Sequence, residues 1–478
     1  MKTLKERKEM QDMDHTREEF LTQPLGRLLS KHTVPAIVSM LFMAMHQVID
    51  GIMVGRSLGP DAMASVNILY PVVALLAGLG LMIAVGGNAR IAVLLGAGQN
   101  HQASRLLGLV VSLGAGVGIA GSLASIVFMP QILNVLGTSG EMGRFAAEYL
   151  RGLLPFFVFM ILIVTLVQSV RNDGQPGLAS GVMIVCALAN IGLDYLFLFV
   201  YEMGIAGAAL ATGLSQTMGA LVFLAYFLKK TLAQRPGLVL ALPEFSRVNA
   251  QAVVVNGSSE FFNSLAAGVT TFLFNHQILA HVGPLGVAAF TLVQYILMIG
   301  MFVVTGIGSG AQPVFSYNHG AGLQHRVRGA LWRVSGLSTL VGAAIFGVMS
   351  WQTPLLAGLF LPDNPEALMV TLEVADLVRW SMLFMPLAML GSIYFTAIEQ
   401  AASSLLVALV RGFVIPVLGL MILPGLWGPA GIWITPLLAE GLAVLVAAGC
   451  LFWPKGALRF GKTPPEPAAA GSLPVSLL

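Results

Sequence analysis

An asparagine and an aspartate one helical turn apart lie within an apolar stretch, 177–200, that is long enough to cross a membrane. They are Asn190 and Asp194, and a spacing of four residues places both side chains on one helix face. An ionised carboxylate at the centre of a membrane helix costs at least about 2.5–3.5 kcal/mol, so Asp194 needs a partner, a proton or a bound ion. Carboxyl and carboxamide oxygens are ligands that suit a hard cation such as Na⁺. The pair therefore predicts a proton or small-cation site.

The composition indicates a multi-pass membrane protein. Of the 478 residues, 56% are hydrophobic and 10% are charged, with a mean hydropathy of +0.84, whereas a soluble domain carries about 25% charged residues. The net charge of +3 is too small to indicate nucleic acid binding. The two cysteines, Cys186 and Cys450, lie in apolar segments and indicate no disulfide framework. No catalytic triad, phosphate loop or metal-ligand spacing is visible, so we expect neither an enzyme nor a cofactor.

Twelve apolar runs separated by polar residues define the fold class. Each run approaches or exceeds the ~20 residues that a helix needs to cross a bilayer, and all are far longer than the ~9–11 residues of a barrel strand. We therefore predict an all-α polytopic membrane protein with twelve transmembrane helices. The predicted spans are 33–56, 64–88, 105–129, 149–170, 177–200, 204–228, 250–280, 285–312, 330–351, 372–396, 402–423 and 428–453.

The second half of the sequence repeats the first at an offset of 224 residues. Gly59-Pro60 recurs as Gly283-Pro284, and Gly96-Ala97-Gly98 recurs as Gly320-Ala321-Gly322. Repeats in one orientation are related by an axis along the membrane normal, as in transporters that handle substrate between two halves. We therefore predict two pseudo-symmetric six-helix lobes. The predicted divisions are an N-terminal segment 1–32, a lobe 33–228, a linker 229–249, a lobe 250–453 and a tail 454–478.

Lysine and arginine are distributed unevenly between the two sides of the predicted membrane. If the N-terminus is inside, most of the 25 Lys and Arg fall on the inner side, which predicts that both termini are cytoplasmic. The exceptions are Arg56, Arg144, Arg151 and Arg379 on the outer side and Arg411 within a helix. The charged residues 1–20 are expected to be frayed or at the surface, and 20–30 to form a short interfacial piece.

Several motifs occur in a specific order along the chain. They fall at 34–59, 95–99, 171–176, 190–194, 203–212 and 312–322. Together they resemble the multidrug and toxic compound extrusion (MATE) family, over roughly residues 20–453. The resemblance implies secondary efflux driven by inward flow of H⁺ or Na⁺, with organic cations or other amphipathic drugs as cargo. It also implies a multi-pass protein of the bacterial cytoplasmic membrane.

The resemblance also implies a coupling-cation site in the first lobe. Carried over residue by residue, that site consists of Asp50, Asn190, Asp194 and Thr212. The predicted helix spans agree, because Asp50 and Asp194 both lie about 17 residues, or roughly 25 Å, from the inner starts of their helices. Thr212 lies about 12 Å from the outer start of its helix, at a similar depth. Two apposed carboxylates disfavour double ionisation, so the group can hold a proton or a Na⁺ ion.

The second lobe lacks this acid pair. At the offset of 224, Asn190 aligns with Val414 and Asp194 aligns with Leu418. Glu260 in the seventh helix resembles an acid that some family members use in this lobe, but the tenth helix has no acid midway along it. We therefore expect a cation site in one lobe, with Glu260 as the second lobe's contribution.

Further residues are candidates for a substrate or proton site. Asn256 and Asn263 lie near the Glu260 face of their helix, and Glu440 lies at a similar depth. Arg411 is expected to neutralise Glu440 or Glu399. Flexible methionine side chains suit promiscuous cargo. The complete set of these candidates is Glu260, Asn256, Asn263, Glu440, Gln168 and Met43.

The function predicted from the sequence is a secondary active antiporter that exports organic cations or amphipathic drugs in exchange for H⁺ or Na⁺. Its expected partners are the lipid bilayer and small-molecule substrates, with one chain sufficient for function. A flippase or exporter of lipid-linked molecules on a related fold is an alternative, although it would need basic residues lining its cavity. A membrane sensor or channel without coupled exchange is an alternative of another class.

Overall fold

The structure is a computed structural model that describes residues 15–138, 140–360 and 365–452. Twelve long helices account for most of these ranges, and no strand occurs within them. Eleven of the helices are long and apolar enough to cross a membrane. The remaining one, α7, is also long at 35 residues but carries polar residues such as Asn256 and Glu260. The predicted all-α, multi-pass architecture is therefore confirmed.

The twelve helices are numbered in chain order, and short helices at Pro60–Ile68 and Met129–Val135 connect some of them. Their bounds are α1 Leu25–Leu58, α2 Tyr70–Gly96, α3 Asn100–Val127, α4 Gly140–Asn172, α5 Pro176–Val200, α6 Gly204–Leu232, α7 Arg247–His281, α8 Pro284–Gly320, α9 Gln324–Phe360, α10 Pro365–Val378 continued through Arg379–Leu383 and Met385–Ala397, α11 Ala401–Trp427, and α12 Pro429–Phe452.

The helices extend beyond the apolar runs that predicted them. Helix α1 begins at Leu25 instead of 33, so residues 25–30 of the expected interfacial piece at 20–30 belong to this helix. Helix α8 likewise continues to Gly320, past the predicted end at 312. The extra turns carry polar residues that pack against other helices outside the apolar zone. The apolar runs therefore located the helices but not their ends.

The chain before α1 packs against α8. Residues 15–22 are helical, and Phe20 is only 1% exposed. The Phe20 ring stacks on Tyr317 with ring centroids 4.1 Å apart, and its backbone carbonyl accepts a hydrogen bond of 3.2 Å from Asn318. The expectation of a frayed or surface segment at 1–20 is therefore wrong at Phe20, because burying this aromatic ring fixes the chain there. Residues 1–14 of that segment lie outside the described residues.

Four irregular turns occur within the long helices, and one of them is the 3₁₀ turn Arg379–Leu383 of α10. A 3₁₀ turn at Leu154–Phe156 surrounds Pro155 in α4. Single π turns occur at Leu196–Val200 in α5 and at Val410–Val414 in α11. Such π turns insert an extra residue into a helix and are frequent at functional sites. The turn in α5 follows Asp194 almost directly, and the turn in α11 contains Arg411.

The two halves of the chain come closest where glycines of crossing helices meet. A Cβ on Gly86 of α2 would overlap the backbone of α7, and a Cβ on Gly257 of α7 would overlap the carbonyl oxygen of Met82. Helices α1 and α8 meet in the same manner, since a Cβ on Gly310 would lie 2.5 Å from Thr33 Cα. Small residues of this kind allow membrane helices to pack backbone to backbone. We call these contacts the glycine seam.

The glycine seam continues to the end of the bundle that carries Arg90 and Lys230, which we call the basic end. There the contacts are reciprocal, because a Cβ on Gly96 would overlap the Tyr317 carbonyl and a Cβ on Gly320 would overlap the Val93 carbonyl. At the offset of 224 residues, Gly96 corresponds to Gly320 and Val93 corresponds to Tyr317, so the two contacts are equivalent. The sequence repeat is therefore also a structural repeat.

Hydrogen bonds and an ion pair add to the contact between the halves at the basic end. The Tyr317 hydroxyl donates to the Asn172 carbonyl at 2.6 Å. Arg90 of α2 pairs with Glu399, just beyond α10, at 3.1 Å. In this conformation the two halves are therefore joined at the basic end.

Candidate functional site

Asp50 of α1 and Asp194 of α5 face each other in the part of the first half that lies away from the basic end. Asp194 is fully buried at 0% exposure, and Asp50 is half-buried. Their carboxyl groups are within hydrogen-bonding reach of each other. Asn190, one turn before Asp194, is 1% exposed. The structure therefore brings together acids that are far apart in the sequence, as the depth estimate predicts.

Four buried oxygen atoms in this cluster have no hydrogen-bond donor among the described residues. They are Oδ1 of Asp50, Oδ1 of Asn190, and both carboxylate oxygens of Asp194. Two ionised carboxylates cannot donate to each other, so a hydrogen bond between them requires a proton on one. A buried acceptor left unsatisfied costs about 1–3 kcal/mol, and more if it is charged. The donor set therefore fits a shared proton or a small cation bound by oxygen, such as Na⁺.

Helix α6 completes the cluster with Thr212, which the sequence placed there. The Asn190 carboxamide donates to Thr212 Oγ1 over a long 3.5 Å. A short connection between α5 and α6 brings Asn190 and Thr212 together. This connection ends at Gly204, whose φ of 64° lies in the left-handed region. Thr212 lies eight residues into α6 and Asp194 lies near the end of α5, so the hairpin places them at the same level.

Tyr149 of α4 is a member of the cluster that the sequence analysis missed. Tyr149 is 8% exposed, its hydroxyl is within hydrogen-bonding reach of Thr212, and it lies in the electrostatic field of both Asp50 and Asp194. A phenol hydroxyl can accept or donate, so Tyr149 can accommodate either a protonated or a cation-bound acid pair. In the sequence this tyrosine stands at the start of an apolar run, where aromatic residues normally anchor helices at the membrane interface.

A second charged cluster lies in the other half, between α7, α11 and α12. Arg411 Nε donates to both carboxylate oxygens of Glu440, at 3.0 and 2.8 Å. This pairing agrees with one of the two expected for Arg411, because the other candidate, Glu399, pairs with Arg90. Glu260 is half-buried and has neither a hydrogen bond nor an ion pair among the residues that the structure describes. Within this cluster, as far as the structure describes it, Glu260 is therefore the acid whose carboxylate is not paired with Arg411.

The remaining predicted site residues lie apart from both clusters or at their edges. Asn256 donates to the carbonyls of Gly86 and Thr396, at 3.4 and 3.1 Å, so it links helices at the glycine seam. Asn263 lies beside Gly412, next to the second cluster. Gln168 accepts a 3.4 Å hydrogen bond from Arg171, and Met43 packs against the apolar core.

Arg171 differs from the simple cytoplasmic cation that its position in the sequence suggests. It lies in the last turn of α4 and is only 2% exposed. Its Nε and Nη2 have no hydrogen-bond partner among the described residues, and its Nη1 has only the long contact with Gln168. The positive-inside pattern does not distinguish a buried arginine from a solvated one.

Membrane-crossing helices in two related halves, with a buried acid pair in one of them, define a multi-pass membrane protein of the transporter type. The MatE family model matches residues 35–196 and 262–421. These matches cover more than half of the chain, one in each repeat. The chain belongs to the MatE family, as the motif order predicts.

Curated relatives match over most of the chain. This chain is 24% identical over 432 residues to the "Multidrug export protein MepA" of Staphylococcus aureus (strain MSSA476). The matched region covers 90% of this chain and 94% of the relative. A protein of the same name from Staphylococcus saprophyticus is 25% identical over 416 residues and covers 87% and 91%.

Solved structures share the fold. A multidrug resistance MATE family transporter of the MOP superfamily in an outward-facing conformation has a TM-score of 0.84 at 22% identity, with 90% of this chain and 95% of that chain covered. A MOP superfamily transporter from Pyrococcus furiosus, with a binding pocket described as reversed in polarity, has a TM-score of 0.83 at 22% identity, with the same coverage of 90% and 95%.

Proposed function

We propose that this protein is a secondary active antiporter that exports organic cations or amphipathic drugs in exchange for H⁺ or Na⁺. The relatives that span almost the whole chain are named multidrug export proteins. In this proposal the protein lies in the bacterial cytoplasmic membrane with its basic end and both termini in the cytoplasm. One chain suffices, because both halves that enclose the path belong to it.

The observation that carries the proposal is the set of buried oxygens around Asp50 and Asp194 for which the described residues offer no donor. An acid pair that must share a proton or bind a cation supplies a site whose occupancy changes with the ion gradient. A purely structural acid pair would be expected to have protein donors for its remaining oxygens. Asn190, Thr212 and Tyr149 add polar oxygens around the pair in this proposal.

The exchange follows from linkage between ion and cargo. If ion binding at the acid pair and cargo binding favour different conformations, each ligand lowers the affinity for the other by the same factor. With the basic end in the cytoplasm, the conformation described above is closed on the cytoplasmic side. An ion could then reach Asp50 and Asp194 from the outside and cargo could leave. Glu260 in the other half offers a negative charge for a cationic cargo.

The proposal is tested with purified protein in liposomes under separate pH and Na⁺ gradients. Accumulation of a fluorescent organic cation should follow one of these gradients, and an Asp194→Asn variant should lose that dependence. Full gradient-driven transport by this variant would refute the coupling role. The same preparation separates the alternatives, since a channel shows no stimulation by cargo on the opposite side. A flippase would instead move lipid-linked compounds without needing either gradient.

A further inference from the structure

The second cluster contains three charged groups at one depth in the bundle. Glu260, Arg411 and Glu440 lie about 10–13 residues from the basic ends of α7, α11 and α12, which is roughly 15–20 Å at the rise of an α-helix. Arg411 and Glu440 have side chains that are only 18% and 13% exposed. Two carboxylates and one guanidinium leave one uncompensated negative charge, provided that both acids are ionised.

Local structure places Arg411 where α11 contacts α7. Arg411 lies in the π turn Val410–Val414, and the next residue, Gly412, has no side chain to keep α7 at a distance. A Cβ there would lie 3.2 Å from Ala266 Cβ and 3.6 Å from Asn263 Oδ1. The face of α7 that carries Asn263 therefore packs directly on this turn. The positive charge of Arg411 also acts on the Glu260 carboxylate, although its hydrogen bonds go to Glu440.

We propose that Arg411 determines which cargo charge this transporter accepts, by leaving Glu260 as a single acceptor for a monovalent organic cation. A dication placed at Glu260 would bring its second charge near a guanidinium that already neutralises Glu440. The paired Glu440 carboxylate offers that second charge no net attraction, and at about 8 Å and an effective dielectric constant near 20 the lost attraction disfavours the dication by about tenfold to a hundredfold. Arg411 is thus a specificity-determining residue, and this inference rests on the proposed export of cations.

The charge of the cluster can be changed in steps by neutral substitutions of similar size. Arg411→Gln leaves two uncompensated carboxylates, and it should shift the ratio of dication to monocation export upward by at least tenfold. Adding Glu440→Gln to that variant returns the cluster to one carboxylate, so the ratio should return close to that of the unchanged protein. Arg411→Lys keeps the charge and should leave the ratio within a few-fold. Glu260→Gln removes the acceptor and should reduce export of both cations.

The measurement uses two compounds with the same aromatic scaffold and either one or two quaternary ammonium groups. Initial export rates from energised vesicles give the ratio for each variant, and the double variant controls for loss of folding in Arg411→Gln. An unchanged ratio in Arg411→Gln, with export intact, would overturn the inference. If the unchanged protein exports neither compound, the proposed function fails. Equilibrium binding of both compounds to purified protein then still decides whether Arg411 sets the charge preference.

Discussion

Replacing Asp194 by Asn should abolish the coupling of cargo movement to the ion gradient. The Asp50 and Asp194 carboxyl groups are within hydrogen-bonding reach, so the pair is expected to release and take up one shared proton per cycle rather than two. One unit of pH gradient supplies about 1.4 kcal/mol for each proton, which is a tenfold concentration ratio. If H⁺ is the coupling ion, exchange of one proton for a monovalent cation should accumulate that cation about tenfold per pH unit. Asp194→Asn should reduce this ratio to about one.

The assay measures the steady-state distribution of a monovalent fluorescent cation across liposomes at clamped membrane voltage. The pH gradient is varied in steps, and a Na⁺ gradient is substituted in a parallel series. Asp376→Asn provides a control, since that acid is exposed and lies in α10 of the other half. A hundredfold ratio per pH unit would refute the single shared proton. A tenfold ratio retained in Asp194→Asn would refute the assignment of the site.

Three further predictions concern the neighbouring structure. Tyr149→Phe should weaken the affinity for the coupling ion by about fivefold to tenfold, because it removes one hydrogen bond worth about 1 kcal/mol. The change in affinity is measured as a shift in the ion dependence of transport, and the thermal stability of the variant should be retained. Gly257→Ala should lower the free energy of unfolding in detergent by about 1–3 kcal/mol, because the added methyl group would overlap the backbone of α2. Gly116→Ala is the matched control and should not destabilise the protein, because a Cβ at Gly116 meets no atom of the described residues within 4 Å. Asp173→Asn should lower the thermal midpoint because it removes the 2.6 Å ion pair with a Lys230 that is only 13% exposed, and adding Lys230→Met should recover part of the loss.

The sequence predicted the features that depend on one helix or on the repeat. The apolar runs predicted the helices because crossing a bilayer requires a continuous apolar segment of fixed minimum length. Asp50, Asp194 and Thr212 were grouped correctly at one depth because helical rise converts residue number into height. Their assignment as the coupling site stays a prediction.

Features that depend on rotation and packing could not be predicted in the same way. Tyr149 meets the acid pair because of the angle at which α4 faces α6, which residue spacing within one helix does not contain. The π turn at Arg411 has no clear pattern in the sequence, although the depth of Arg411 in α11 already separates it from Glu399 at the basic end. The burial of Phe20 depends on α8, almost 300 residues later in the chain, so local hydropathy carries no information about it.

The reciprocal contacts at the basic end have a consequence for how the two halves could diverge. Gly96 meets the Tyr317 carbonyl while Gly320 meets the Val93 carbonyl, so each half presents the same patch to the other. This is the geometry of an isologous interface, which normally joins two identical subunits about a two-fold axis. Here a single polypeptide contains both sides of it, and the contact uses only glycine and backbone atoms. The interiors are therefore free to differ, and one half contains an acid pair while the other contains two glutamates, one of them paired with an arginine.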